Sequence, residues 1–382
     1  MNESKTIFIL GGTGFVGRAV TEKYLKNNWR VIVLTRTQNL EEAKSQLFLH
    51  GFDKNLFEKS FSSNSLLFAF DVDLTDEKWS QTDIWNQLLK RINASPSSII
   101  RVVNFVGETS GSADEIFKSN LNTLESIFTL VRYIKNQNKN SFFANMGSAV
   151  EGRHGKRLSP YEYAKEVARQ KIEKSNLCDF HFVAHYIKGR GEQKMKSAAP
   201  ILWSKLKFSH RWLFGFKVSV VDVDDLAEII YHFLEEIKIP FRGQKPIEVN
   251  VTNGELVFGD VIKNLLPEDK WSIPKAIIPA RLEGLFLWLY SVIVSLVRPN
   301  DQFVRRLANF AKRSLTNKKA PKEIEIFKTA DDIKRLASDN DYEVLERSPN
   351  LIVLNKRLPV IYVLKEKNQE ELKRVVRKAL TT

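Results

Sequence analysis

The 382 residues are enough for two or three domains, and 43% hydrophobic with 27% charged residues is the balance of a globular chain, which excludes a largely disordered one. A single cysteine, Cys178, rules out an intrachain disulfide and a cysteine-based metal site and suits a reducing compartment, and the six histidines show no metal-ligand spacing. The formal net charge of +14 favours an anionic partner, but with no zinc-finger spacing and no aromatic RNA-binding strand, nucleic acid is not expected.

Met1 to Lys5 leave no room for a leader before the first strand, so a cytoplasmic protein is expected. Thr6–Leu10 is a short apolar run ending at a glycine turn and reads as a buried parallel strand. Val16, Ala19, Val20 and Tyr24 then keep helical spacing. Further strands are predicted at Arg30–Leu34, Leu66–Phe70, Ile99–Val106, Ser141–Asn145 and Phe180–Tyr186. Between the fourth and fifth, Phe117, Leu121, Leu124, Phe128 and Val131 mark one helical face. Strands alternating with helices imply right-handed crossovers: an α/β fold with a doubly wound parallel Rossmann sheet.

Past residue 190 the alternation fades. Val218–Val223 reads as one more strand, and Asp224 or Asp225 would cap a helix with Leu226, Ile229, Ile230, Phe233 and Leu234 on its apolar face. The predicted Rossmann domain is 1–190, completed by about 218–260, with a smaller substrate-side lobe from 191–217 and 240–322. Residues 323–382 read helix, strand, strand, strand, helix (Asp331–Ser338, Tyr342–Arg347, Leu351–Asn355, Val360–Leu364, Glu370–Leu380), a small appended α+β module.

The segment from Gly11 to Gly17 carries the strongest signal, because it sits directly after a strand and directly before a helix. There Gly11 permits the tight turn, Gly14 lets backbone approach a pyrophosphate and Gly17 lets the helix pack close to the strand. The helix start, with Thr13, Phe15 and Val16, offers free N–H groups and a positive dipole end to phosphates. The second strand ends in Thr35 and Arg36, not in the acid that would bind a ribose 2′-OH, so NADP is favoured and NAD is the alternative. Asp73 and Leu74 follow the third strand, where they could edge the adenine.

The ordered set of Gly11, Gly14, Gly17, Asp73-Leu74, Asn104 to Gly107, Ser148 and Tyr161 to Lys165 resembles the extended and atypical short-chain dehydrogenase/reductase superfamily, over roughly residues 5–260. Val221–Ala227 is similar to its late strand-to-helix motif. The stretch from Val102 to Lys165 looks most like the atypical branch, which includes the nucleotide-binding accessory subunit of respiratory complex I and its bacterial relatives. Among the nine tyrosines, only Tyr161 has a lysine four residues on, at Lys165, and on a helix that spacing puts both on one face. The lysine charge favours tyrosinate, which makes the phenol usable as acid or base. Ser148 could hydrogen-bond the substrate oxygen. The resemblance implies these roles for Tyr161, Lys165 and Ser148, a ribose contact for Lys165, a supporting role for Asn120, and cofactor contacts near Asn104 and Gly107. Two departures stand out. Relatives have Arg-Pro after the sixth strand, where this chain has His185–Gly189. Ser148 and Tyr161 are 13 apart, shorter than in sugar-nucleotide epimerases and dehydratases.

Leu285–Val297 is an apolar helix candidate of 13 residues, short of the about 20 needed to span a membrane. Arg298, Arg305, Arg306, Lys312, Arg313, Lys318, Lys319 and Lys322 follow it, and Trp203–Lys217 mixes basic and aromatic residues in the same way. A buried lobe helix with a basic face is one reading; peripheral docking of 285–322 on an anionic membrane is the other. The expected function is an NADP(H)-dependent oxidoreductase that interconverts a hydroxyl and a carbonyl on an unidentified small molecule, lipid-like if the membrane reading holds. The alternatives are a non-catalytic NADP(H)-binding subunit or sensor and a sugar-nucleotide epimerase or dehydratase. No metal is expected, and a homo-oligomer is left open.

Overall fold

Strands that are apolar on both faces must lie between two covering layers. In β1 (Lys5–Leu10), Ile7 and Ile9 enter one core and Phe8 and Leu10 the other. In β2 (Arg30–Leu34), Val31 and Val33 join the first core, and Ile32 and Leu34 the second. The computed structural model describes residues 5–76, 78–93, 99–109, 112–138, 140–151, 160–191, 213–214, 217–235, 245–257, 277–278, 285, 289, 292, 330–346, 350–357 and 360–365.

Helices α1 (Phe15–Lys26), α2 (Leu40–Leu49) and α3 (Lys54–Ser62) cover the first face of the sheet. The second face is covered by α4 (Asp83–Asn93), α6 (Thr123–Gln137) and α7 (Pro160–Ser175). Between α4 and α6 comes α5 (Ala113–Phe117), and α8 (Val223–Glu235) packs on the first face beside α1. The remaining strands of the sheet are β3 (Leu66–Ala69), β4 (Ile99–Asn104), β5 (Phe142–Met146), β6 (Phe180–Ala184), β10 (Ile247–Thr252), β13 (Tyr342–Glu346), β14 (Asn350–Asn355) and β15 (Val360–Lys365). Their order is β3-β2-β1-β4-β5-β6-β10-β15-β14-β13. From β3 through β15 every neighbour pair is parallel, and β14 runs antiparallel to both of its neighbours. The chain leaves β3 at one edge and returns at β4, on the far side of β1. That reversal opens a crevice at the carboxyl ends of β1 and β4.

The expected Rossmann-type α/β fold is therefore present, with differences in detail. The single strand expected over Phe180–Tyr186 breaks at His185, and β7 (Tyr186–Lys188) turns into a second sheet with β9 (Lys217–Asp222) and β11 (Gly254–Val257). The strand expected at Val218–Val223 forms as β9 in that second sheet. The neighbour of β6 in the central sheet is β10, where alternate residues Ile247, Val249 and Val251 are buried. The tail strands, expected as an appended module, extend the central sheet: β15 pairs with β10 from Glu248↔Val360 to Thr252↔Leu364. Helix α9 (Ala330–Leu336) packs Ile333 and Leu336 against Val353, Tyr362 and Leu364. A short pair, β8 (Leu213–Phe214) with β12 (Ile277–Ile278), stands apart.

Most of 191–217 and 240–322, and the helix expected at Glu370–Leu380, lie outside the described residues. Within 285–322 only Leu285, Leu289 and Val292 are described; they are helical and 42%, 43% and 39% exposed. Among the described residues no helix is long and apolar enough to cross a membrane.

At the amino ends of the strands, the buried Arg101 of β4 ties α8 to the sheet. Its Nε donates to Glu235 Oε1 at 2.9 Å and to Leu234 O at 3.2 Å, and its Nη1 donates to Asn140 O at 2.8 Å. Tyr24 Oη donates to the same carboxylate at 3.3 Å. Burial pushes the Glu235 carboxyl up to about 7, against the pull of Arg101. A carboxyl that holds its proton more tightly when folded adds stability below its ordinary 4.5 and loses it as pH climbs through about 7. Arg101→Met, which strands that carboxylate, is expected to cost about 3–5 kcal/mol in urea denaturation at pH 8, and less at pH 5, where a proton neutralises Glu235. Glu235→Gln should flatten the pH dependence across that window.

Candidate active site

The chain leaves β1 through Gly11, at φ +76, a left-handed conformation that suits glycine. Gly14 N donates to Gly11 O at 3.1 Å. Gly14 caps α1 without a side-chain hydrogen bond, and no acid follows in the first turn. No side chain there competes for the first amides, and the helix dipole adds partial positive charge. Gly17 leaves no room for a side chain, since a Cβ on it would stand 2.2 Å from Gly11 O.

A cleft of about 440 Å³ lies at the carboxyl ends of the first four strands. Of the residues expected to hold a cofactor, Gly11, Thr13, Gly14, Thr35, Arg36, Asp73, Leu74 and Gly107 line it. Phe15, Val16 and Gly17 do not: Phe15 is buried against the first core, Val16 packs beside it, and Gly17 serves helix packing. Thr35 Oγ1 lies 3.1 Å from Thr37 Oγ1 and 3.5 Å from Thr13 Oγ1, a buried hydroxyl ladder at the end of β2. Asp73 Oδ1 accepts from Thr75 N at 2.9 Å and from Thr75 Oγ1 at 2.7 Å. Burial raises that carboxyl's pKa, but the Thr75 hydrogen bonds outweigh it and hold the group below its usual range. Arg36 Nη2 donates to Glu108 Oε1 at 3.3 Å.

Asn104 is fully enclosed and does not line the cleft. Its Oδ1 accepts from Val106 N at 3.0 Å, which shapes the loop that carries Gly107 and Glu108. Its Nδ2 donates to Asn145 Oδ1 at 2.8 Å, the residue beside it in the β4–β5 register. Asn145 in turn lies beside His181 of β6, with Nδ2 to Nδ1 at 3.3 Å. His181 Nε2 then meets Glu151 Oε2 at 2.7 Å, and Glu151 Oε1 accepts from Ser148 N at 2.8 Å. Every side chain of this row is buried. A row of polar groups across three parallel strands thus ends on the backbone of Ser148.

Asn120 sits in a π-helical turn, Lys118–Asn122, which interrupts the helical face expected from Phe117 to Val131. Such turns re-aim single side chains and are frequent at functional sites. Asn120 Nδ2 donates to Glu108 O at 2.9 Å and to Ile116 O at 2.8 Å, while its buried Oδ1 has no hydrogen-bond partner among the described residues. A Cβ on Gly107 would lie 2.5 Å from that Oδ1 and 3.4 Å from Lys165 Nζ. Lys165, Asn120 and the cleft-lining Gly107 therefore converge. Tyr161 and Lys165 fall in the first turns of α7, with Lys165 Nζ 5.9 Å from the Tyr161 ring centroid. Neither lines the cleft itself.

Open amides at the start of α1, in the crevice where the strand order reverses, form the kind of site that binds the phosphates of a dinucleotide. The sequence reading missed Glu108, Gly147, Glu151 and His181. A histidine inside the apolar run Phe180–Ala184 was the available signal, because a buried imidazole requires partners.

Residues 7–251 match the model of the NAD dependent epimerase/dehydratase family. No curated protein matches the chain. Among solved structures, the terminal R domain of the myxalamid PKS-NRPS biosynthetic pathway is similar with a TM-score of 0.56 at 11% identity, over 89% of this chain and 86% of that one. The WbmH enzyme of Bordetella bronchiseptica, solved in complex with NAD+, is similar with a TM-score of 0.50 at 15% identity, over 73% of this chain and 91% of that one. At such identities the likeness shows the fold.

The Glu151–His181 contact leaves no room at Gly147, where a Cβ would stand 2.4 Å from His181 Nε2. Gly147→Ala is expected to cost about 1–3 kcal/mol in thermal or urea denaturation. Ser148→Ala, one residue on, should cost less than about 0.5 kcal/mol.

Proposed function

We propose, for a chain that belongs to the NAD-dependent epimerase/dehydratase family, the role of an NADP(H)-dependent oxidoreductase that interconverts a hydroxyl and a carbonyl. The observation that carries the reading is the approach of Lys165 Nζ to the cleft-lining Gly107, 3.4 Å from where a Cβ on that glycine would stand, with Tyr161 one helical turn away on the same helix. Gly11, Thr13, Gly14 and the first amides of α1 would hold the diphosphate. Thr35 and Arg36 would hold the adenosine 2′-phosphate, and Asp73 with Leu74 the adenine edge. When bound, the dinucleotide supplies or accepts the hydride.

Tyr161 would give its phenolic proton to the carbonyl oxygen during reduction and take one from the hydroxyl during oxidation. Lys165 keeps positive charge beside the tyrosine while that proton is away. Ser148 Oγ would hydrogen-bond the reacting oxygen, on a backbone fixed by Glu151. The short Ser148–Tyr161 spacing supports simple redox over epimerisation or dehydration. The exposed Leu285, Leu289 and Val292, with the basic run after them, support a lipid-like substrate met at an anionic surface.

Following NADPH oxidation with a panel of carbonyl compounds tests the chemistry. Tyr161→Phe is expected to lower the rate about 100-fold or more, with NADPH affinity kept within about twofold. Equal rates in parent and variant would sink the acid–base assignment. For the cofactor, Arg36→Ala should weaken NADPH binding roughly tenfold and NADH binding less than about twofold in fluorescence titrations.

A further inference from the structure

Among the described residues, four charged side chains line the cleft: Arg36, Glu42, Asp73 and Glu108. Two of the three carboxylates are engaged locally. Glu42 Oε2 accepts from Gln38 N at 2.9 Å, and Asp73 Oδ1 accepts twice from Thr75. Glu108 is the one that reaches Arg36, at 3.3 Å, from a loop on the opposite strand, 72 positions away in sequence. That loop is not loose. Asn104 Oδ1 holds Val106 N, and Asn120 Nδ2 holds the carbonyl of Glu108 itself. The carboxylate is thus delivered to the guanidinium by a fixed backbone.

We infer that Glu108 is a specificity-determining residue that competes with the 2′-phosphate for Arg36 and so narrows the preference for NADP over NAD. This rests on the reading of Arg36 given above. A guanidinium carries five N–H donors but a single positive charge; Glu108 already engages one donor and offsets part of the charge that a phosphate would otherwise meet. An NADP-type dinucleotide must displace Glu108 or tolerate it; NADH, which lacks that phosphate, meets no such competitor. Both side chains are solvent-exposed, at 68% for Arg36 and 43% for Glu108, so the effect is modest.

Fluorescence titrations of NADPH and NADH against the parent, Glu108→Gln, Arg36→Ala and the double variant decide the matter. Glu108→Gln is expected to tighten NADPH binding about three- to tenfold and to leave NADH within about twofold. In the Arg36→Ala background the same change should alter neither. Equal tightening of both nucleotides, tightening that survives loss of Arg36, or weaker NADPH binding in Glu108→Gln would each overturn the inference. If Arg36→Ala leaves the NADPH-to-NADH ratio unchanged, the cofactor reading itself fails. A ratio that falls in Arg36→Ala but does not rise in Glu108→Gln refutes the role of Glu108 alone.

Discussion

Helix α1 can approach the turn after β1 only because Gly17 brings no side chain there: a Cβ would sit 2.2 Å from the Gly11 carbonyl oxygen. Everything at the cleft depends on this approach. It points the start of α1, with its uncapped amides, at the crevice where the strand order reverses. It also fixes the angle at which α1 meets α8, with Tyr24 edge-on to Tyr231. A single missing methyl group thus sets both the direction of the α1 amino terminus and the packing of the covering layer.

The two ends of the cleft are mechanically joined. The loop after β4 takes its shape from Asn104, passes Gly107 beside Lys165, and reaches Arg36 through Glu108. Asn120, from the π-helical turn, grips the same loop at the Glu108 carbonyl. On the substrate side, the row Asn104, Asn145, His181 and Glu151 fixes Ser148 from behind. Arg36, proposed for the adenosine end, and Ser148, proposed for the reacting oxygen, therefore trace back to one buried anchor, Asn104.

The first six strands were legible because buried parallel strands are short apolar runs and the glycine turn marks the first of them. Strand β10 was not, although Ile247, Val249 and Val251 alternate, because polar residues between them resemble the irregular segments around. Pattern also cannot tell which strand joins which sheet, so the apolar run predicts β9 as a strand and leaves its pairing with β7 and β11 open. At the site, Gly11, Gly14, Arg36 and Asp73 were readable from position after a strand. The Glu108–Arg36 and Glu151–His181 contacts join residues distant in the chain, and no local spacing announces them.

The pairing of β15 with β10 joins positions more than a hundred residues apart in the chain. During synthesis the nascent sheet therefore presents the bare edge of β10, with unsatisfied amides and carbonyls, until the segment near Val360 has left the ribosome. That interval is long, and an unpaired edge flanked by buried aliphatic side chains invites association with other unfinished chains. Once β15 docks, β14 and β13 cap the growing side, and the charged Lys365 seals the end of the pair against Asp225 and Glu228.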